Sequence, residues 1–436
     1  MNSSKQQEIK ALVDWRHLFS LLFTALFLAV VIGLSAMFLS YFLDIVADAF
    51  MHFHESYHSA SPKAVPSWRR LLSVTVGGLI AGMTWYLIRR KDPKIVGIKG
   101  AMKGQKMPLF KTILNVLTQI FYVGTGGSVG RELAPRQLGV MISQQVQDFG
   151  KKRGFLTLTN EDRQLLLAAA AGAGFAGVYI APITGMLFSV ELLLKKNSIK
   201  NIAVSLLMSI IACLIGALAK GFTPYYWVAS ADFSRSLLLA AVVIGPLAGI
   251  TGAWAKQAFS WAQKKQATGK TILLTMPLVG LLTGLIAYFV PEIMGNGRAV
   301  AQLAFHQTSG RLVFFFLALG LLKFGITFLT LYGGGTGGTL TPSIALGAVL
   351  GLVVAVFFAF LLPGIQPWHF ALIGAVALLA ASQQAPLMAM FMVFEIAHLH
   401  SSALLIFATA VALSSATSNF YLKVQERKLA RLNAPE

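Results

Sequence analysis

A glycine-rich stretch that ends in an arginine and a glutamate offers the clearest chemistry in the chain. Residues 124–130 are followed directly by Arg131 and Glu132 and then by a helical run. Glycines before a helix start leave backbone N–H groups uncovered, and the helix dipole favours anions at that end. The uncharged segment 112–130 could cross much of a bilayer, and ionisable residues at membrane depth mark ion or substrate paths. The stretch therefore predicts an anion site that contains a titratable carboxylate.

Two features recur in the same order in both halves of the chain. The first is a glycine-rich stretch before a helix, and the second is an Ala-Pro pair followed nine residues later by a glutamate. They fall at residues 124–130, Pro182 and Glu191 in the first half, and at residues 333–338, Pro386 and Glu395 in the second. Paired helices broken by Gly and Pro are the sequence feature of midplane sites in transporters built from repeats. The pattern predicts such a repeat.

The elements that position these residues are membrane helices. Of the 436 residues, 56% are hydrophobic and 12% are charged, whereas soluble domains carry about 25% charged residues. A helix needs about 20 apolar residues to cross the hydrocarbon layer. Uncharged runs of about that length occupy residues 18–43, 71–88, 164–190, 236–255 and 271–291. We therefore predict an all-α polytopic membrane protein.

Charge and cysteine content restrict the function further. The formal net charge is +20, which the positive-inside rule explains through basic cytoplasmic loops and tails. The charges are scattered in short loops, so nucleic acid is not an expected partner. Cys213 is the only cysteine, which excludes an intrachain disulfide and a cysteine metal cluster. We expect a multi-pass protein of the inner (plasma) membrane with both termini in the cytoplasm.

A histidine-rich segment lies between the first two runs. His52, His54 and His58 could bind a metal through their His-x-His spacing. A solvated external loop is the favoured interpretation, and no metal or other cofactor is expected.

The motifs resemble those of the CLC family of chloride channels and chloride/proton antiporters. Gly130, Arg131, Glu132 and Pro135 resemble the GREGP signature, and residues 338–342 resemble GxFxP. Supporting matches are the Ala-Pro pair before Glu191, residues 294–297 (Met-Gly-Asn-Gly) and Tyr421 near the last helix. The resemblance covers roughly residues 18–430.

The resemblance implies a homodimer in the lipid bilayer with one anion path per subunit. Each subunit would have a CLC-type fold of two inverted helical repeats with broken or re-entrant helices. The expected limits are a cytoplasmic segment 1–17, a transmembrane domain 18–430 with repeats at about 69–219 and 236–420, and a tail 431–436. Glu132 would be the gating glutamate, which competes with the anion and carries a proton. The implied anion-binding residues are Gly130, Arg131, Leu133, Thr339, Leu340, Thr341 and Tyr421.

The chain departs from the family pattern at four places. The family's GSGIP motif should fall near residues 93–97, which read PKIVG and contain no serine. Leu133 replaces the glycine after the gating glutamate, and Thr341 adds a hydroxyl to the second motif. Leu192 stands where strict antiporters often have a second glutamate. An internal proton relay is therefore expected to be absent or rerouted.

Several roles have competing interpretations. Glu132 is favoured as a gate over a structural ion pair with Arg131, since adjacent helical residues do not face each other. Arg131 is favoured as a structural charge over a direct anion ligand. The symmetric positions of Glu191 and Glu395 favour a scaffold role over a proton path. Tyr421 would be an anion ligand or an interfacial tyrosine.

The function expected from these features is chloride transport, gated by a glutamate, with channel and proton-coupled antiporter both open. Fluoride/proton antiport within the same family is the alternative. An enzyme is not expected, because residues 324–394 contain one histidine and no acid, and intramembrane hydrolysis needs a nucleophile with partners. A cation path would need acidic rings or paired carboxylates.

Overall fold

A computed structural model describes residues 3–56, 59–90, 95–230, 232–309, 312–358, 361 and 364–432. The predictions that concern His58 and the first two residues of the 93–97 stretch lie outside these ranges. Within them the chain forms sixteen α-helices. In chain order they are α1 (Ser3–Met51), α2 (Ser67–Arg89), α3 (Ile98–Met102), α4 (Leu109–Gly124), α5 (Leu133–Arg153), α6 (Asn160–Tyr179), α7 (Pro182–Leu187), α8 (Ile199–Lys220), α9 (Leu237–Lys264), α10 (Ile272–Phe289), α11 (Arg298–Phe305), α12 (Val313–Tyr332), α13 (Leu340–Phe358), α14 (Pro367–Gln383), α15 (Pro386–Ile396) and α16 (Ser402–Leu432).

Helices long enough to cross a membrane dominate the fold. Among the described residues, eight helices are long and apolar enough to span a bilayer. They lie in α1, α2, α8, α9, α10, α12, α13 and α16. The prediction of a polytopic helical membrane protein is therefore confirmed. The predicted run 164–190 differs from the others, because it forms α6 and α7 in place of one helix.

The two Ala-Pro pairs break their helices with the same backbone geometry. After α6 the chain turns through Ile180 at φ 54°, and after α14 it turns through Gln384 at φ 56°. An extended alanine follows each turn, and Pro182 and Pro386 then begin the next helix. The cause is local, since proline keeps the preceding residue out of the helical region and is well tolerated at the first helical position. Both predicted breaks are confirmed, and their match supports the repeat.

The chain divides into two compact units. The first comprises the described parts of residues 1–40, 94–116 and 135–222. Its core packs the early part of α1 against α6 and α8 through side chains such as Leu28, Leu166 and Met208. A Cβ on Gly216 of α8 would overlap the carbonyl group of Gly177 in α6. Small residues therefore permit the close approach of α6 and α8 here.

The second unit comprises the described parts of residues 41–93, 117–134 and 223–436. In it α2 packs on α10, α13 packs on α14, and α9 contacts both α14 and α16. This unit contains both glycine-rich stretches. It therefore contains the residues of the predicted anion site, including Glu132.

A buried carboxylate ties three elements of the first unit together. Asp162, in the first turn of α6, accepts a hydrogen bond from the Lys200 ammonium group and lies 3.0 Å from Nε2 of His17. Thr159 completes a capping box with it. Burial acts to raise the pKa of Asp162, but the hydrogen bonds from Lys200 and Thr159 outweigh it and hold this pKa below its usual range.

We predict that Asp162 makes the fold sensitive to acid. A carboxyl with a depressed folded-state pKa stabilises the protein fully above its unfolded pKa, about 3.9 for aspartate, and this contribution is lost as pH falls through the folded pKa. Asp162→Asn should lower the thermal unfolding midpoint in detergent at pH 7 and flatten its decline below pH 4. Glu161→Gln, at a neighbouring side chain that is 86% exposed, should do neither. Unchanged midpoints in Asp162→Asn would contradict the prediction.

Candidate functional site

The two glycine-rich stretches meet in a short antiparallel backbone pair. The N–H of Gly130 donates to the carbonyl oxygen of Gly338 at 2.8 Å, and the N–H of Gly338 donates to the carbonyl oxygen of Gly130 at 2.8 Å. Two residues after Gly338, α13 begins at Leu340. The first N–H groups of a helix have no partner within it. The pair therefore brings the turn that carries Glu132 to such a helix start.

The Glu132 carboxylate occupies this helix start. Its side chain is fully buried, and its Oε1 accepts a hydrogen bond from the backbone N–H of Leu340 at 2.7 Å. The hydroxyl of Thr341 lies 3.5 Å from Oε2. A Cβ on either Gly130 or Gly338 would overlap the carboxylate. The two glycines are thus required by close approach, and they let the acid reach the N-terminus of α13.

This geometry gives the helix start two alternative occupants. A backbone N–H at a helix N-terminus binds a carboxylate or an inorganic anion by the same electrostatics. Leu340, one of the residues predicted to bind the anion through its N–H, donates here to the carboxylate. Because one N–H cannot serve both groups in full, an anion bound at this position would compete with the carboxylate. Protonation of the carboxyl would remove its charge and weaken its hold on this position.

The side chain of Arg131 belongs to a separate buried charge cluster. Its Nη1 lies 3.1 Å from Oε2 of Glu55, and Nη1 of Arg298 lies 3.5 Å from the same oxygen. The two guanidinium groups lie over the ring of Tyr225, 5.2 and 4.1 Å from its centroid. Burial raises the pKa of Tyr225 to about 12, so its ring remains that of a neutral phenol. These contacts support the structural role predicted for Arg131.

The Met-Gly-Asn-Gly segment joins this cluster to the glycine-rich stretch. Asn296 donates through Nδ2 to the hydroxyl of Tyr225 at 2.8 Å. The N–H of the preceding residue, Gly295, donates to the carbonyl oxygen of Gly126 at 2.9 Å. The segment ends at the short helix α11, which begins at Arg298.

A buried lysine supports the first glycine-rich stretch. Lys323, in the middle of α12, is fully buried and donates from Nζ to Oγ of Ser128 at 2.8 Å. It also donates to the carbonyl oxygens of Ile293 at 2.9 Å and Gly295 at 2.6 Å. Its three hydrogen-bond partners are oxygen atoms of neutral groups, so the amine is tied to this stretch and to the Met-Gly-Asn-Gly segment. Lys323 was not among the predicted site residues, although a single ionisable side chain inside an apolar helix is a signal in its own right.

A buried arginine supports the second glycine-rich stretch. Arg89, at the end of α2, donates from Nη1 to the carbonyl oxygen of Gly334 at 2.8 Å and from Nη2 to Oγ1 of Thr336 at 2.5 Å. Its relative exposure is 6%. A basic residue at a helix end is ordinarily explained by the positive-inside rule. Arg89 has a further role, because it is buried against the loop that leads to Gly338.

Three further residues were predicted to bind the anion, and their contacts do not indicate whether they do so. Leu133 is half-buried at the start of α5. Thr339 accepts a hydrogen bond at Oγ1 from Nε2 of Gln383, at 3.5 Å. Tyr421 is half-buried on α16, where its hydroxyl accepts from Nε2 of Gln425 at 3.3 Å. The anion-binding roles of these three residues stay predictions.

We predict that Glu55 holds the arginine cluster together. Glu55→Gln leaves the guanidinium groups of Arg131 and Arg298 beside each other without their shared counter-charge, and removing one partner of a buried ion pair is strongly destabilising. The thermal unfolding midpoint in detergent should fall by several degrees. Asp232→Asn is the matched control, because this acid is 76% exposed and pairs with His400 at 2.8 Å. Equal midpoints for Glu55→Gln and the control would rule out this role.

This chain is similar to known proteins over most of its length. The family described as voltage gated chloride channel matches residues 77–419. A ClcB-like chloride channel protein of Ralstonia nicotianae is 31% identical over 359 residues, which cover 77% of this chain and 79% of the relative. The H(+)/Cl(-) exchange transporter ClcA of Vibrio parahaemolyticus is 27% identical over 400 residues, which cover 86% of this chain and 82% of that protein.

The fold is also similar to that of a solved antiporter structure. The X-ray structure of a slow cyanobacterial Cl-/H+ antiporter superposes with a TM-score of 0.77 at 19% identity, covering 95% of this chain and 99% of that one. The family match over residues 77–419 includes both glycine-rich stretches and both broken helices. The chain therefore belongs to the voltage gated chloride channel (CLC) family and has its all-helical, multi-pass membrane fold.

Proposed function

We propose that the protein transports chloride across the membrane through the helix start at Leu340, with Glu132 as gate and proton carrier. The observation that carries this proposal is the hydrogen bond from the Leu340 N–H to the buried Glu132 carboxylate. The relatives named above are a chloride channel protein and an H(+)/Cl(-) exchange transporter, which supports chloride as the anion.

The transport step follows from competition for one position. With the carboxylate charged, Glu132 holds the Leu340 N–H and excludes the anion. When the carboxyl takes up a proton, its attraction to the helix start weakens, and chloride takes the same N–H. Loss of chloride lets the carboxylate return, and the proton is released. The hydroxyl of Thr341, 3.5 Å from Oε2, is placed to donate to either occupant.

Proton coupling through this site is proposed to be loose. Leu192 offers no carboxylate at the inner position, and it lies in the π-helical segment Phe188–Leu194 directly after Glu191. A proton that leaves Glu132 towards the inside would therefore have no acid at that position to receive it. We propose proton counter-transport through Glu132 without a fixed inner relay.

The proposal also includes the oligomeric state of the protein and its orientation in the membrane. The family suggests a homodimer with one anion path per subunit. Basic residues at the ends of α2 and α5 favour a cytoplasmic location for those ends and for both termini by the positive-inside rule. The membrane would be the cell's inner membrane.

We predict that Glu132→Gln separates anion flux from proton movement. An amide cannot exchange a proton, so a chloride gradient across proteoliposomes should no longer drive a change of internal pH, and chloride flux should lose its dependence on pH. Glu395→Gln provides a control, because it makes the same substitution in the apolar helix α15. That control should retain the pH response of the wild type.

The same assay discriminates between the alternatives. Proton movement in Glu132→Gln equal to that of the wild type would contradict the gate. Chloride flux in the wild type without any proton movement would establish a channel. Fluoride flux in place of chloride flux would establish the fluoride branch of the family.

We predict that Lys323 raises chloride affinity. Lys323→Met removes the Nζ group that donates to Oγ of Ser128 and to the carbonyl oxygens of Ile293 and Gly295, so the stretch leading to Gly130 loses its buried support. The chloride concentration at half-maximal flux should rise several-fold. Lys323→Arg keeps a hydrogen-bond donor at this position and should stay closer to the wild type. A wild-type value in Lys323→Met, with the protein folded, would show that the lysine serves packing alone.

A further inference from the structure

A second concave site, lined by basic side chains, lies in the first unit. A cavity of about 820 Å³ opens between α3 with the turn that follows it, the second half of α5 and the first turns of α6. Ligand pockets usually measure about 300–1,000 Å³. The basic residues in its lining are Lys103, Lys106, Lys151, Lys152 and Arg163. This volume far exceeds the roughly 30 Å³ that one water molecule occupies, so the cavity has room for a small organic or inorganic polyanion.

The cavity carries a clear excess of positive charge. Asp148 is the one acidic residue among the lining residues that the structure describes. Its Oδ1 lies 2.6 Å from Nη2 of Arg163, and its Oδ2 lies 3.7 Å from Nζ of Lys106. One carboxylate thus faces five cations, and the side chains of Lys103, Lys151 and Lys152 are exposed. A cavity lined by one sign of charge concentrates counter-ions of the opposite sign.

Buried amides hold the basic residues in place. Gln147 is 2% exposed and accepts a hydrogen bond at Oε1 from Nε of Arg163, at 3.3 Å. Gln144 is 7% exposed and fixes the turn after α3, because it accepts from the N–H of Met107 at 2.7 Å and donates to the carbonyl oxygen of Gln105 at 2.9 Å. Buried amides therefore fix Arg163 and the turn after α3, which form part of the concave surface.

The positive-inside rule alone does not account for this convergence. It explains why lysines lie on one side of the membrane, and the exposed pair Lys264 and Lys265 at the end of α9 satisfies it without lining this cavity. Here basic residues from three separate elements face one space. A single chloride ion could neutralise only one of them, whereas a ligand with several phosphate charges matches their number. Lysine and arginine both bind phosphate oxygens through charge-assisted hydrogen bonds.

We propose that this cavity binds a phosphorylated anion with several negative charges, supplied either by a soluble polyphosphate compound or by an anionic phospholipid headgroup. The ligand would contact Lys151 and Lys152 on α5, Arg163 on α6, and Lys103 and Lys106 beside α3. The lining residues of this cavity do not include Leu340 or Glu132. Its occupancy does not depend on the transport mechanism proposed above.

Calorimetric titration of the full-length protein in detergent at low ionic strength tests the soluble source, with sodium tripolyphosphate as the probe. The wild type should bind, and Lys151→Gln/Lys152→Gln should bind at least tenfold more weakly. The matched control Lys264→Gln/Lys265→Gln removes the same charge from an adjacent lysine pair at another helix end, and it should bind like the wild type. Equal weakening in both double variants would overturn the proposal, since it would show a dependence on net charge alone.

A substitution in the opposite direction separates the site from a loss of folding. Asp148→Asn removes the acid from the cavity and should tighten tripolyphosphate binding several-fold, while Asp232→Asn, at an exposed acid elsewhere, should not. Equal affinities in these two variants would overturn the proposal.

The lipid source is tested with dioctanoyl phosphatidic acid in the same detergent. Binding of this lipid that is lost in Lys151→Gln/Lys152→Gln and retained in the control, without tripolyphosphate binding, would assign the site to a phospholipid headgroup. Absence of binding by both probes would overturn the proposal. None of these measurements requires chloride flux, so failure here is distinguishable from failure of the transport proposal.

Discussion

The two backbone hydrogen bonds between Gly130 and Gly338 are the constraint on which the site depends. They join two stretches more than 200 residues apart in sequence and leave no room for side chains where the Glu132 carboxylate lies. The pairing is short and would be weak alone. Lys323 holds one stretch through Ser128, and Arg89 holds the other through Gly334 and Thr336. Buried cations that donate to backbone and hydroxyl oxygens thus fix the geometry in which one acid can reach one helix start.

The charges around the site fall into two classes with different consequences. Glu55 neutralises one of the two guanidinium charges of Arg131 and Arg298, which lowers the cost of burying them. Glu132 accepts a hydrogen bond from a backbone N–H and lies near a hydroxyl, and both groups are without formal charge. In the proposed mechanism another anion displaces a carboxylate from such dipoles more readily than it would displace one from a buried arginine. The Arg131–Glu55 ion pair is thus assigned to structure, and Glu132 to the proposed gate.

The sequence predicted what depends on local chemistry. Pro182 and Pro386 mark the helix breaks, and the glycine-rich stretch before Glu132 marks the helix start, because proline and glycine act on their own backbone. The sequence did not predict the partners that come from distant segments. Glu55 lies 76 residues before Arg131 in a polar loop, and nothing in its neighbours indicates that it pairs with two buried arginines. Lys323 was detectable in principle, since it is the only charged residue of α12, but the oxygens it contacts were not.

The helix breaks determine which residues reveal the repeat in the sequence. The left-handed residue at each break is Ile180 in one repeat and Gln384 in the other, and neither is a residue type that favours this conformation; isoleucine disfavours it strongly. The bend is imposed two residues downstream, where a proline closes the helical option for the alanine before it. The two repeats of this chain therefore differ at the residue that forms the bend and share the proline that imposes it. A search of this sequence for glycines at the bend would overlook the repeat, and a search for the Ala-Pro pair finds both copies.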